Sequence, residues 1–271
     1  MKNKRKPIVF LLVMTIITGV LSLSLMLINV VRGNNSKYVD IDFATIRLVQ
    51  TLEPKEGDPI AIVDTTLGEI RFVLYPKYSP QAVKNFTELA ESGYYDNTYV
   101  YDSQNGAYSG LGAKDKNGGV EGGLDQPRER IPRELHQDLW PFRGAVCMVT
   151  TAFEQSFKEK FFGGGDYYCG SRFNIMNSIA FDDEKAEELR AISGDNLLTD
   201  TFVEKGGIPN FSHQMTIIGQ TYKGFDVVDK LASLESKTNG TYLVPVEDVM
   251  IKSVKISTYT AEDEGNKGDL E

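Results

Sequence analysis

Cysteine, histidine and tryptophan are scarce in this chain of 271 residues, which holds two, two and one of them. The cysteines, Cys147 and Cys169, form no CxxC pair. That excludes a dense disulfide framework and leaves a single bridge open. With only His136 and His213 beside them, the sequence has no ligand cluster of the zinc type, and neither a metal nor another cofactor is expected. The acidic, glycine-rich "KDKNGGVEGG", residues 114–123, lacks the ligand spacing of an EF-hand and reads as a solvated turn. Basic charge is also short, with 29 Lys and Arg against 38 Asp and Glu and a formal net charge of -9. A surface that neutralises phosphates needs the opposite balance, so nucleic acid is not an expected partner.

Charge is unevenly spread as well. Lys2, Lys4, Arg5 and Lys6 precede an uncharged run, "PIVFLLVMTIITGVLSLSLMLINVV", residues 7–31. At about 1.5 Å per residue this run is long enough to cross a hydrocarbon core of roughly 30 Å. The competing reading, a cleaved signal peptide, is disfavoured by the length of the apolar run and by "LINVVRGNN", which offers no small-x-small cleavage site. No cysteine follows to carry a lipoprotein anchor. The expectation is a cytoplasmic segment 1–6, a single transmembrane anchor 7–31 and an extracytoplasmic remainder, oriented by the positive-inside rule.

Outside the span the composition is that of an ordinary globular protein. Residues 32–58, with "NNS" and "EPKEGDP" at either end, read as a stalk. "IAIVDTTLGEIRFVLYP" predicts a hairpin in which Ile70, Phe72 and Leu74 alternate onto one face. "SPQAVKNFTELAESG" predicts a helix with Ser79 as N-cap, Pro80 at the first position and Gly93 past the end, its stripe made of Val83, Phe86, Leu89 and Ala90. "GAVCMVTT", "SRFNIMNS" and "MTIIGQTY" read as short strands and "GFDVVDKLAS" as a second helix. "DDEKAEELRAI" predicts a surface helix with Leu189 and Ile192 inward, and the acidic end "TAEDEGNKGDLE" a disordered tail. Short strands with turn signals and separated helices suggest a closed β-barrel with helical plugs.

The order of the segments is more specific than any one of them. "TTLGEIRFVLYPKYSPQAVKNFTELAESGYYDNTYV" resembles the opening of the cyclophilin family of peptidyl-prolyl isomerases, with its Pro-x-x-Val-x-Asn-Phe helix followed by Gly-x-Tyr. "IPRELHQDLWPFRGAVCM" is similar to the segment ending in Arg-Gly-x-x-x-Met, "GSRFNI" to the Gly-Ser-Gln-Phe-Phe-Ile strand, and "GGIPNFSHQMTIIGQTYKGFDVVDKL" to the stretch ending in Val-Val-x-x-Ile. The resemblance implies a mainly β fold. It would be a closed eight-stranded antiparallel barrel capped by two helices over residues 59–258, preceded by the transmembrane helix and followed by a tail at 259–271. It also implies a peptide groove for proline-containing or unfolded polypeptide segments.

The same resemblance locates a departure. Tyr99 matches the aromatic that leads the catalytic strand, and Tyr101 stands where the family has its catalytic arginine. In the family's Phe-Met-x-Gln segment the matching positions are Gly106, Ala107 and Ser109. Val149, Thr150 and Thr151 replace Ala-Asn-Ala, next to Met148. Arg172 replaces the glutamine of Gly-Ser-Gln-Phe, and Asn174 replaces the pocket phenylalanine. Asn210, Phe211 and Met215 fall on the last site segment. The expected catalytic candidates are therefore Arg172 and Tyr101, with Arg172 either a relocated donor or a surface partner of an acidic neighbour such as Asp102. Tyr99, Ala107, Ser109, Met148, Thr150, Asn174, Asn210, Phe211 and Met215 are the expected substrate contacts. Trp140 and Cys147 read as packing residues, and His213 as a solvated loop residue. Three readings fit: a prolyl isomerase with a rebuilt site, a peptide-binding module without turnover, and a structural domain.

Overall fold

The computed structural model describes Val39, residues 41–118, 131–152, 167–194 and 196–260; the expected segments 1–6 and 7–31 lie outside them, as do residues 261–271. Among the described residues no helix is long and apolar enough to cross a membrane. The chain divides into two compact units. One comprises Met1–Tyr38 with Ala152–Tyr167, of which only Ala152 and Tyr167 are described; the other comprises Val39–Thr151 with Tyr168–Glu271 and carries the fold.

Among the described residues there are eleven strands: β1 (Pro59–Thr65), β2 (Gly68–Leu74), β3 (Thr98–Gln104), β4 (Tyr108–Ala113), β5 (Ile131–Pro132), β6 (Ala145–Ala152), β7 (Tyr167–Met176), β8 (Thr216–Lys223), β9 (Ser236–Asn239), β10 (Tyr242–Pro245) and β11 (Met250–Thr258). They are ordered β4-β3-β11-β1-β2-β8-β6-β7, and a further pairing of β4 with β7 closes these eight into a barrel. β5 joins the edge at β7, while β9 and β10 form a separate hairpin. Inside lie Val63, Ile70, Phe72, Leu111, Met148, Phe173 and Ile175, the inward halves of alternating strands. The predicted hairpin and its inward face are as expected.

Four α-helices among the described residues pack around the barrel: α1 (Pro80–Glu91), α2 (Asp183–Ser193), α3 (Leu197–Lys205) and α4 (Phe225–Ala232). Helix α1 adds Val83, Phe86 and Leu89 to the barrel core, and α4 adds Val227, Val228 and Leu231. Burial of side chains of this size stabilises by about 1.5–3 kcal/mol each, an upper estimate. Asn85 ties α1 to the start of the β7 segment by donating to the Gly170 carbonyl at 3.2 Å. Ser79 occupies the N-cap position, but its hydroxyl donates to the Ile217 carbonyl at 2.8 Å and does not cap. The Glu134 carboxylate takes over that role, accepting from the backbone N–H groups of Ala82 (2.9 Å) and Gln81 (3.2 Å).

Two expectations need correction here. Ile192 does not face inward but is 77% exposed, because the buried stripe of α2 runs through Ala186 and Leu189, and Ile192 lies about 120° around the helix from Ala186. The later part of the stretch read as a stalk is also not free of the domain. Ile41, Ile46 and Leu48 pack beside Trp140 and Phe142. Gln50 is buried and clasps Trp140, accepting from its backbone N–H at 2.6 Å and donating to its carbonyl at 2.9 Å. At the other end Tyr259, just past β11, is buried and its backbone N–H donates to the Asp58 carbonyl, so it belongs to the domain and not to the tail.

Candidate functional site

The outer face of β7 carries Arg172, Asn174 and Met176, which alternate with the inward Phe173 and Ile175. Its neighbour β4 places Tyr108 opposite Met176 and Gly110 opposite Asn174. On the other side of β4, strand β3 pairs Val100 with Leu111 and Asp102 with Gly110, leaving Tyr101 as an extra residue. Such a bulge turns two successive side chains towards one side. Tyr101 and Asp102 are accordingly both buried on this outer face, where Gly110 leaves room for the Tyr101 ring.

One end of the face is a covered cationic cluster. The Arg172 guanidinium lies over the Tyr101 ring, 5.1 Å from its centroid, and donates to the Gly118 carbonyl at 2.7 Å and to the Tyr242 hydroxyl at 3.1 Å. Tyr242 comes from β10 and meets Tyr101 edge-on at 5.1 Å. Arg172 is 4% exposed and Tyr101 2%. Burial drives the Tyr101 hydroxyl far above its ordinary range, with the Arg172 charge pulling in the opposite direction, so it titrates nowhere near neutrality. Arg172 is thus not a surface arginine.

The other end is a half-buried apolar patch. Ala107, Tyr108, Phe211 and Met215 pack against Leu139, Cys147, Met176 and Ile217, with the Tyr108 and Phe211 rings 5.9 Å apart. Asn174 enters this cluster, its side-chain nitrogen 3.8 Å from the Met215 sulfur. Asp102 joins the two ends: it accepts from the Tyr108 hydroxyl (3.2 Å), from Gln104 (2.7 Å) and from the Leu243 N–H of β10 (2.8 Å). Burial raises its pKa above the ordinary carboxyl value despite these donors. Among the described residues no group of three or more His, Cys, Asp or Glu is placed to hold a metal ion. A surface cleft of about 350 Å³ between residues 50–54, β8 and Arg143 lies apart from this face.

Comparison with known proteins bears directly on this arrangement. The sequence model of the family "Cyclophilin type peptidyl-prolyl cis-trans isomerase/CLD" matches residues 60–162. A Staphylococcus aureus protein that carries the provisional name of peptidyl-prolyl cis-trans isomerase is 23% identical, over 75% of this chain and 94% of its own. A Streptococcus pyogenes protein provisionally named a bifunctional phosphatase/peptidyl-prolyl cis-trans isomerase is 27% identical over 73% of this chain, but the match spans only 38% of that relative's length. The crystal structure of a Cryptosporidium parvum cyclophilin type peptidyl-prolyl cis-trans isomerase, in the presence of the dipeptide Ala-Pro, superposes with a TM-score of 0.52, at 21% identity, over 74% of this chain and 99% of that one. The barrel shares its fold with that structure.

On this barrel the expected site residues separate into groups. Arg172 and Tyr101 meet in the covered cluster; Ala107, Asn174, Phe211 and Met215 meet in the apolar patch. Asn210 is exposed nearby in sequence, and Tyr99 is half-buried where β3 meets β11. Three others point the wrong way for a ligand. Ser109 shares the inward face with Leu111 and lies opposite Ile175, Met148 lies in the barrel core, and Thr150 is turned towards the buried Cys169 thiol. Cys147 and Cys169 are both free and buried; burial pushes Cys169 up to about 11. Trp140 packs as expected, against Phe202. His213 is not solvated: it sits at φ +55° with its ring 4.5 Å from that of Trp140, and burial lowers its pKa.

Tyr108 and Tyr242 are the residues that sequence reading missed, and Asp102, named there as a partner for Arg172, instead accepts from Tyr108, Gln104 and Leu243. The alternation of "AYSGLG" carried a signal for Tyr108, since it shares a face with Gly110, whereas Tyr242 approaches from a hairpin more than 130 residues away along the chain and left no local trace.

Proposed function

We propose that this chain is a cyclophilin-type peptidyl-prolyl cis-trans isomerase acting, with slow turnover, on X-Pro bonds of polypeptide segments outside the cytoplasm, held at the membrane by residues 7–31. The observation that carries the reading is the half-buried apolar patch of Ala107, Tyr108, Phe211 and Met215 on the outer face of a barrel with the cyclophilin fold. The location rests on the uncharged span and its basic flank in the sequence.

Rotation about an X-Pro bond breaks no covalent bond, and the barrier of about 18–20 kcal/mol comes from amide conjugation. An apolar surface that holds the ring, hydrogen bonds that fix the flanking backbone and one donor near the amide nitrogen are sufficient machinery. Arg172 and Tyr101 are the candidates for that donor. Both lie covered, and each 1.36 kcal/mol needed to uncover a donor lowers the rate about tenfold. The same burial favours a second reading, a peptide-binding module without turnover, since Arg172 already donates to Gly118 and Tyr242.

The deciding experiment is isomerisation of an Ala-Pro reporter peptide by the full chain in detergent, with peptide binding followed in parallel. Acceleration above the spontaneous rate supports the enzyme, binding without acceleration supports the module, and neither result overturns both. Protease treatment of intact cells tests the location: the barrel should be removed from outside while a short N-terminal fragment stays with the membrane.

A further inference from the structure

Asn174 is out of place by the ordinary rules of burial. It is 8% exposed, yet its side-chain oxygen has no hydrogen-bond partner and its nitrogen meets only the Met215 sulfur, a weak acceptor. Turning the amide over would only exchange which polar atom goes unanswered. The surroundings offer no remedy: Ala107, Phe211 and Met215 are apolar, Gly110 opposite has no side chain, and the Tyr108 hydroxyl is engaged by Asp102. A buried amide left in this way is a standing cost to the folded protein unless an occupant answers it.

From this we infer that Asn174 is a specificity-determining residue that selects bound segments carrying a primary amide side chain, Asn or Gln, next to the proline. A primary amide carries its donor and its acceptor on separate atoms and can pair with both polar atoms of Asn174 at once, in either orientation, whereas a hydroxyl must donate and accept through a single oxygen. Because Asn174 is recessed, a side chain must reach it. Met215 is half-buried and unbranched, with three rotatable bonds, and it is the group able to swing aside to admit that side chain. The proline ring has no N–H to give. It rests against Tyr108 and Phe211, and the residue beside it engages Asn174. A site built to pair an amide rejects an apolar isostere, because the polar group is then left unpaired.

The inference rests on the proposed groove and is tested separately from it. Capped hexapeptides with one proline, carrying Gln, its apolar near-isostere Met, or Ala in turn at each position flanking the proline, are titrated against the full chain in detergent. Binding is read from the Met215 methyl resonance, assigned through Met215→Leu. At one position Gln should bind about tenfold more tightly than Met, the equivalent of one good hydrogen-bond pair. Asn174→Leu should level the two. Peptides that shift Met215 but bind equally with Gln and Met at every position overturn this inference and leave the groove standing. If no peptide binds, the inference falls together with the groove. The comparison on the unaltered chain holds whether or not the variant folds.

Discussion

The Arg172 guanidinium lies over the ring of Tyr101, 5.1 Å from its centre, so an arginine on one strand packs directly against a tyrosine on another. The positive charge sits on the outer face of β7, covered by Tyr242 of the β9–β10 hairpin. Arg172→Gln loses the bond to the Gly118 carbonyl and the contact with Tyr101. Charge-assisted bonds of this kind are worth about 1.5–3 kcal/mol each. Urea unfolding should accordingly show a loss of about 2 kcal/mol, and any isomerase activity should disappear if Arg172 supplies the donor. A variant as stable and as active as the parent would remove Arg172 from both roles.

Gly118 should be equally intolerant of change. Its φ is +67°, and a Cβ there would come within 2.2 Å of the Tyr101 ring. Gly118→Ala should cost about 2 kcal/mol or more through backbone strain and displacement of the ring. Unchanged thermal unfolding would contradict the packing described for this cluster.

Glu134 caps helix α1 from outside the helix. Removing it by Glu134→Ala leaves two N-terminal N–H groups without their carboxylate and should cost about 1 kcal/mol. Glu134→Gln keeps the acceptor and should recover part of that loss. Equal midpoints for all three proteins in urea would rule the cap out as a stabilising contact.

His213 gives a pH dependence of definite sign. Burial holds the folded-state pKa of its imidazole below the ordinary 6.5. As pH falls through about 6.5, the unfolded chain takes up a proton that the folded chain refuses, so stability drops until the folded pKa is passed. His213→Asn suits the left-handed backbone at this position and removes the titration. Between pH 7.5 and 5 the parent should lose more stability than the variant. Parallel pH profiles would contradict it.

Asp102 works in the opposite direction. Its folded pKa is raised, so the folded chain takes up the proton first as pH falls, and the parent should gain stability relative to Asp102→Asn on acidification from pH 7 to about 4. A relative loss over that range would mean that its three donors outweigh burial.

Period and capping made the β1–β2 hairpin, α1 and α4 legible in the sequence, because each buries one face and ends on a glycine or at a capping position. Helix α3 carried comparable signals, Asn196 at its start and Gly206 at its end, and its side chains Leu198 and Phe202 pack on Trp140 and Phe142. The short apolar content of "LLTDTFVEK" hid it. Orientation was harder to read than position. Ser109 was read as facing the groove because family matching aligns residues without regard to the pleat, and a shift of one residue in a strand moves a side chain to the opposite face. The bulge at Tyr101 breaks the alternation in the very strand where the site was sought. Asn174 and Met215 were found by matching to the family, whereas the Asp102 link between Tyr108 and the β9–β10 hairpin depends on contacts between segments remote in the chain.

The clasp between Gln50 and Trp140 has a mechanical meaning. A pull on the chain at Val39 is carried along the backbone to Gln50, whose amide holds both backbone groups of Trp140 and also donates to Gln220. Trp140 in turn bears on the ring of His213, which lies between Phe211 and Met215 in sequence. The leading segment, the clasp and the loop of the apolar patch are therefore coupled in series, and tension on the first is felt at the last.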